Sequence, residues 1–320
     1  MQTVMVNGSK SSHQPVISGV PQGSVLGPIL FIIDLNDIDR VIKESKILSF
    51  ADDTKAIKEI SSEHDTKRLQ EDLDQLTTWS LNNNMELNED KYELLNYKLR
   101  TPNSVLLREL PFTAQLFSYS TMNGCSIEPC EVVRDLGVNL SSDMSWTPHI
   151  NIMVANARTM ASWALGVFRD RSKTTMLTLY KSMIRCKLEY CCPLWDPKSV
   201  QDIQSIEDVQ RHFTRRIMGC EDMDYWQRLK HLNLQSLQRR RERYCLIHMW
   251  KTYQKLVPND LNVEFYDNKR LGLKIKVSTY SHSAATSAAT AYESAFAIRG
   301  AKLWNCLPQD VNSQNTLLSF

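Results

Sequence analysis

The stretch Ile47-Leu48-Ser49-Phe50-Ala51-Asp52-Asp53-Thr54-Lys55-Ala56-Ile57 puts two adjacent carboxylates between two runs of strand-forming residues. Its pattern predicts a hairpin over 47–57 with the acids at the tip. Asp-Asp by itself makes a serviceable β-turn and carries no further meaning. A second segment lies just upstream: Ser18-Gly19-Val20-Pro21-Gln22-Gly23-Ser24-Val25-Leu26-Gly27-Pro28-Ile29-Leu30-Phe31. There a Gly/Pro loop runs into an apolar stretch that Ser24 is placed to cap as a helix, continuing to about Val41. Glycines let a backbone approach a ligand closely, and a helix start favours phosphate.

Together the two segments resemble the reverse transcriptases of non-LTR retrotransposons of the jockey and chicken-repeat type. The resemblance continues through Trp79, Asn84-Met85-Glu86-Leu87-Asn88-Glu89-Asp90-Lys91, Arg134-Asp135-Leu136-Gly137-Val138 and Ser141 to His149. Leu188-Glu189-Tyr190, Pro193-Leu194-Trp195, Ile206-Glu207, Val209-Gln210-Arg211, Leu303-Trp304-Asn305 and Leu307-Pro308 extend it to the carboxy-terminal region.

The resemblance implies an α+β fold. A partial polymerase palm, an antiparallel sheet with packed helices, would occupy residues 1–145, and a mostly helical thumb-like region residues 146–256. The tail, 257–320, would hold a Ser/Ala-rich linker and short strands. It implies nucleotidyl transfer with two Mg²⁺ ions, Asp52 as main ligand and Asp53 assisting. Gly19, Pro21, Gln22 and Gly23 would sit against the templating base and the dNTP, and Phe50 would pack while shaping the floor beneath the primer end. Lys91 would give a proton to pyrophosphate. RNA template and DNA primer are the implied partners.

The family also needs an earlier aspartate on a palm strand; only seventeen residues precede Ser18, and Met1 to Lys10 hold no acidic residue. Asp34, on the helix after the loop, is not placed to replace it. The expectation is a back half without fingers, first palm motif or endonuclease, inactive as an isolated chain. Two other outcomes compete with it: a catalytically dead RNA- or DNA-binding remnant, and a relic that does not fold stably.

The 320 residues carry a net charge of +2, unevenly spread. Residues 1–100 hold 11 Lys/Arg against 16 Asp/Glu, and residues 101–320 hold 27 against 20. An acidic half that collects cations and a basic half that tracks phosphate suit a nucleic-acid enzyme. The densest basic segment, 211–243, includes Arg211, Arg215, Arg239, Arg240 and Arg243, with Arg239 and Arg243 on one helical face. These five are the nucleic-acid-binding candidates, although an ordinary solvated helix face reads the same. Eight cysteines form no Cys-x-x-Cys pair, which excludes a zinc knuckle by spacing. No apolar run is long enough to span a membrane. With no secretory signal, the expected setting is intracellular, in cytoplasm or nucleus, and soluble.

The remaining periodicities predict a hairpin at Asn7-Gly8, a helix opened by Ser62, a hairpin at Asn123-Gly124 and a strand near 131–140. Helices are expected from a Thr147-Pro148 cap, along Leu177-Tyr180-Ile184-Leu188, over 200–217 and over about 235–256. A flexible linker is expected at 279–290 and a closing strand pair at 296–307.

Overall fold

The computed structural model describes residues 1–15, 23–85, 87–97, 119–268, 270–276, 295–312, 314 and 316. It is a mixed α+β chain whose contacts form two units. The first is Met1–Leu94 with the described part of Leu106–Pro129; the second is Cys130–Phe320 with the described part of Leu95–Val105. The expected linker at 279–290 lies outside the described residues.

In the first unit, β1 (Met5–Val6) and β2 (Ser9–Lys10) close on Asn7 and Gly8, both at positive φ as a type I′ turn requires. Ser24 Oγ accepts the Gly27 N–H at 3.0 Å and opens α1 (Gly27–Leu35). The helix expected to reach Val41 breaks after Asn36 and resumes as α2 (Ile38–Val41). The break frees the Asp37 carboxylate to accept the Trp79 indole N–H at 3.0 Å. Val25, Ile29 and Ile33, the apolar stripe of this segment, are exposed.

Strands β3 (Lys46–Phe50) and β4 (Asp53–Ile57) form the expected hairpin, with Phe50 opposite Asp53. Ser62 caps α3 (Glu63–Asn82) by accepting the Asp65 N–H. The Asp65 carboxylate accepts from the Ser62 hydroxyl and the Ser61 N–H, which hold its pKa below the usual carboxylate value. The buried Asp72 carboxylate accepts the Lys43 and Glu44 N–H groups at 3.2 Å each, tying the end of α2 to α3. Leu69 packs with Tyr119 and Ile127 of a hairpin, β5 (Tyr119–Ser120) and β6 (Ser126–Ile127), which turns at Asn123-Gly124 as expected. The Gln70 amide exchanges two 2.9 Å bonds with the Ser120 backbone and fixes the register.

The second unit opens with a hairpin where one strand was expected: β7 (Val132–Asp135) and β8 (Val138–Ser141) turn on Leu136 and Gly137. Both turn residues have positive φ, which Gly137 adopts without strain. Next comes α4 (Thr147–Val167), whose Ile150, Met153, Ala157, Ala161 and Ala164 are buried as their spacing implies. Thr147 is not its cap, because the hydroxyl donates instead to Asp202 at 2.8 Å. Helix α5 (Lys173–Leu179) runs through a π-helical turn at Tyr180–Arg185 into α6 (Cys186–Glu189). Helices α7 (Val200–Thr214), α8 (Tyr225–Leu232) and α9 (Leu237–Tyr253) complete the bundle around one large core. The sequence reading missed α8, which a capping box of Asp224 and Gln227 opens.

A smaller core joins Met249 and Trp250 of α9 to a hairpin, β9 (Phe265–Asn268) and β10 (Gly272–Ile275), and to α10 (Phe296–Asn305). The strand pair expected at 296–307 is therefore a helix, followed by the short α11 (Gln309–Asn312). Its buried residues Gly300, Ala301 and Trp304 fall on one helical face, a period that the aromatic and branched content of the segment obscured. Asn305 bonds both the N–H and the carbonyl of Ile275 at 2.8 Å, and the Trp304 indole donates to Leu273 O at 3.1 Å.

Candidate active site

The hairpin β3–β4 presents Asp52 and Asp53 side by side at its tip, both exposed. Ala51 precedes them at φ +52, the left-handed region that favours glycine. Among the described residues neither carboxylate has an ion-pair or side-chain hydrogen-bond partner, so both are open to a ligand. Two adjacent hard oxygen donors suit Mg²⁺. Among the described residues no three His, Cys, Asp or Glu side chains gather as a metal site. Phe50, read as a packing residue, is instead 65% exposed.

Gly23 has φ +82, a backbone only glycine takes freely, directly before the Ser24 contact that opens α1. Gly19, Pro21 and Gln22 lie outside the described residues. Lys91 ends an exposed 3₁₀ turn, Glu89–Lys91, that Asn88 caps through the Asp90 N–H at 3.2 Å. No hydrogen bond or ion pair joins Lys91 to Asp52 or Asp53 among the described residues.

The basic candidates of the second unit divide by environment. Arg240 forms an ion pair with Glu189 and lies 5.4 Å from the Tyr244 ring centre, and the Glu189 bond raises its pKa. Arg211 pairs with Asp208 and sits 4.8 Å over the Tyr225 ring. Arg215, Arg239 and Arg243 are exposed and make no side-chain bond to a described residue. The Asp208 partner, three residues before Arg211, was readable from spacing. The Glu189 partner, 51 residues from Arg240, was not.

Several motif residues turn out to be architectural. Buried Glu207 accepts from the Tyr225 hydroxyl, from Gln210 Nε2 and from the Leu237 N–H that starts α9. Burial and the Glu207 charge drive the Tyr225 pKa upward. Tyr190 donates to Leu136 O at 2.8 Å and so holds the β7–β8 turn. Burial pushes the Cys192 thiol up to about 12 and raises Cys245, so both stay protonated and unreactive. Among the described residues no helix is long and apolar enough to cross a membrane.

Residues 1–140 match the family model for reverse transcriptase (RNA-dependent DNA polymerase). The chain is similar to the RNA-directed DNA polymerase from mobile element jockey of Drosophila melanogaster, 29% identical over 228 residues. It is also similar to the probable RNA-directed DNA polymerase from transposon X-element of the same fly, 26% identical over 228 residues. A jockey polymerase of Drosophila funebris is 25% identical over 229 residues. Each match covers 68% of this chain and 24% of the relative, so the chain spans about a quarter of the length of the curated relatives it matches. No solved structure matches the chain. Over residues 1–140, where the Asp52-Asp53 hairpin stands, the chain is similar to the reverse transcriptase family.

Proposed function

We propose that this chain is the carboxy-terminal part of a non-LTR mobile-element reverse transcriptase. Residues 1–145 would then be a partial palm, 146–256 a thumb-like region and 257–320 a tail. The observation that carries this reading is the exposed, unpartnered Asp52-Asp53 pair at a tight hairpin tip, within a segment of reverse transcriptase sequence. Asp52, with Asp53 beside it, would hold Mg²⁺. Bound there, the metal supplies activation of the primer 3′-hydroxyl and charge neutralisation at the leaving pyrophosphate. The chain's own share is to fix these two carboxylates at the turn, to offer the 18–24 loop to template and dNTP, and to carry the Lys91 ammonium toward phosphate. RNA template, DNA primer and dNTP are the partners in this reading.

Two-metal chemistry needs more carboxylate oxygens than this pair provides. We assign the remainder to protein outside these residues and predict that the purified chain does not extend a primer. Primer extension on an RNA template with Mg²⁺ tests this. Extension by the chain, abolished by Asp52→Asn, would overturn the inactivity and leave the assignment of Asp52 standing. Extension that persists in Asp52→Asn would sink the site itself.

The second reading, a nucleic-acid-binding remnant, draws support from the exposed, unpartnered Arg215, Arg239 and Arg243. Arg239→Glu with Arg243→Glu should weaken RNA binding and flatten its salt dependence. Unchanged affinity and slope would dismiss this face.

A further inference from the structure

A different surface of the second unit combines flat exposed rings with free cations. Near the end of α4, Trp163 is 49% exposed and meets exposed Phe168 edge-on, with ring centres 6.2 Å apart. Val167, one helical turn beyond Trp163, is exposed too. The exposed parts of these two aromatics and the valine gain nothing for the fold, since burial is what makes such side chains stabilising.

The backbone beneath them is fixed. Arg171 donates to Leu165 O at 2.6 Å and to Phe168 O, locking the turn that carries Phe168. The Asp170 carboxylate accepts from the Ser172 N–H, the Ser172 hydroxyl and the Thr175 hydroxyl, which hold its pKa low and its charge at the start of α5. The Met218 N–H donates to Arg171 O at 2.9 Å, bringing the turn after α7 against this one. That second turn carries Arg215 and Arg216, both exposed, while Arg169 is exposed on the first. None of these three guanidinium groups has an ion pair or side-chain hydrogen bond among the described residues. Asp170, next to Arg169, is the nearest acid in sequence and is engaged by Ser172 and Thr175; Glu221 and Asp222 lie beyond Cys220.

Exposed rings on a turn that carries unpaired Arg169, and that a backbone bond joins to the turn carrying Arg215 and Arg216, fit a strand that offers bases to stack on and phosphates to pair with. A single strand meets the rings with its bases and the three guanidinium groups with its phosphates, whereas a purely apolar partner would leave the arginines unmatched. We infer that Trp163 and Phe168, flanked by Arg169, Arg215 and Arg216, form a stacking platform for single-stranded RNA. The inference rests on the proposed reading of the chain as part of an RNA-copying polymerase; of the residues cited for the second reading it uses Arg215 and neither Arg239 nor Arg243.

The test uses the full 320-residue chain and a labelled 20-nucleotide oligouridine, read by fluorescence anisotropy across a salt series. Trp163→Ala with Phe168→Ala should weaken binding by about tenfold or more. Arg169→Gln, Arg215→Gln and Arg216→Gln together should reduce the log–log salt slope by about two, as three lost phosphate contacts require on a single strand. Photo-crosslinking of 4-thiouridine RNA to the wild-type chain gives a readout independent of variant folding. The crosslinked peptide should contain Trp163 or Phe168. If the wild-type chain binds but both variant sets match it and the crosslinks fall elsewhere, the platform is refuted and the wider reading survives. If the wild-type chain does not bind RNA, both fail together. Self-association that Trp163→Ala with Phe168→Ala abolishes while RNA affinity stays unchanged would also refute the platform, making this face a contact between copies.

Discussion

Ala51 sits at φ +52 one residue before the metal-binding candidate Asp52, where glycine would be free of strain. An L-residue in this region costs roughly 1–2 kcal/mol, and glycine returns roughly 0.5–1 kcal/mol as lost chain entropy. Ala51→Gly is therefore expected to stabilise the first unit by about 0.5–1 kcal/mol, measured by urea unfolding; a loss of stability would mean that the turn is unstrained. In the second unit, His149 Nδ1 accepts the Asn139 N–H at 3.3 Å, and the ring packs edge-on against Trp146 and Trp195. Its Nε2 is buried without a partner, and burial lowers its pKa from the ordinary value near 6.5. The unfolded chain thus binds a proton at a pH where the folded chain does not. Stability is full above about 6.5 and falls as the pH drops through the lowered folded value. His149→Gln should flatten this acid slope and leave the share of His248, which burial and Lys251 also depress. An unchanged slope would clear His149 of the effect. At this scale the Asp52-Asp53 turn was legible because a two-residue turn is a local property of sequence. The engagement of Arg240 was not, because its partner Glu189 reaches it through the fold.

Among the elements, α10 lies so close to α9 that Gly300 has no room for a side chain. A Cβ there would stand 2.1 Å from the terminal methyl of buried Met249 and 3.0 Å from its Cγ. Overpacking costs typically 1–3 kcal/mol, while Gly→Ala inside a helix gains about 1 kcal/mol, so the clash prevails. Gly300→Ala should lower stability by roughly 1 kcal/mol in thermal unfolding. In the background of Met249→Ala, whose cavity receives the new methyl, the penalty should vanish. Equal penalties in both backgrounds would remove this packing argument. The helices α4 and α7 were readable because their buried faces repeat at the helical period over four or more turns. Helix α8 was missed because eight residues give barely two turns of signal, and α10 because its aromatic and branched residues also satisfy a strand. The break between α1 and α2 was invisible for a different reason: Asp37 leaves the helix for Trp79, 42 residues away.

Across the molecule, burial is concentrated in the second unit. Its main core holds 20 buried apolar residues, against three in the largest buried cluster of the first unit, among the described residues. Apolar burial is the dominant favourable term in folding, so the two units differ in their capacity to stand alone. A fragment of residues 130–320 is expected to unfold cooperatively on heating, whereas residues 1–129 should bind a hydrophobic dye and melt without a sharp transition. A sharp melt of the shorter fragment would show that α1, with Ile29, Ile32 and Ile33 exposed, is covered within it. The return of α10 onto the bundle has a further consequence for synthesis. Arg299 donates to Pro193 O and pairs with Asp196, a span of more than 100 residues, and Trp304 seals the smaller core over Met249 and Trp250. A ribosome adding about 5–20 residues per second needs roughly 3–10 s to travel from the end of α9 to the end of α10. For those seconds the nascent bundle carries an open apolar flank, and that interval is when a chaperone would have to shield it.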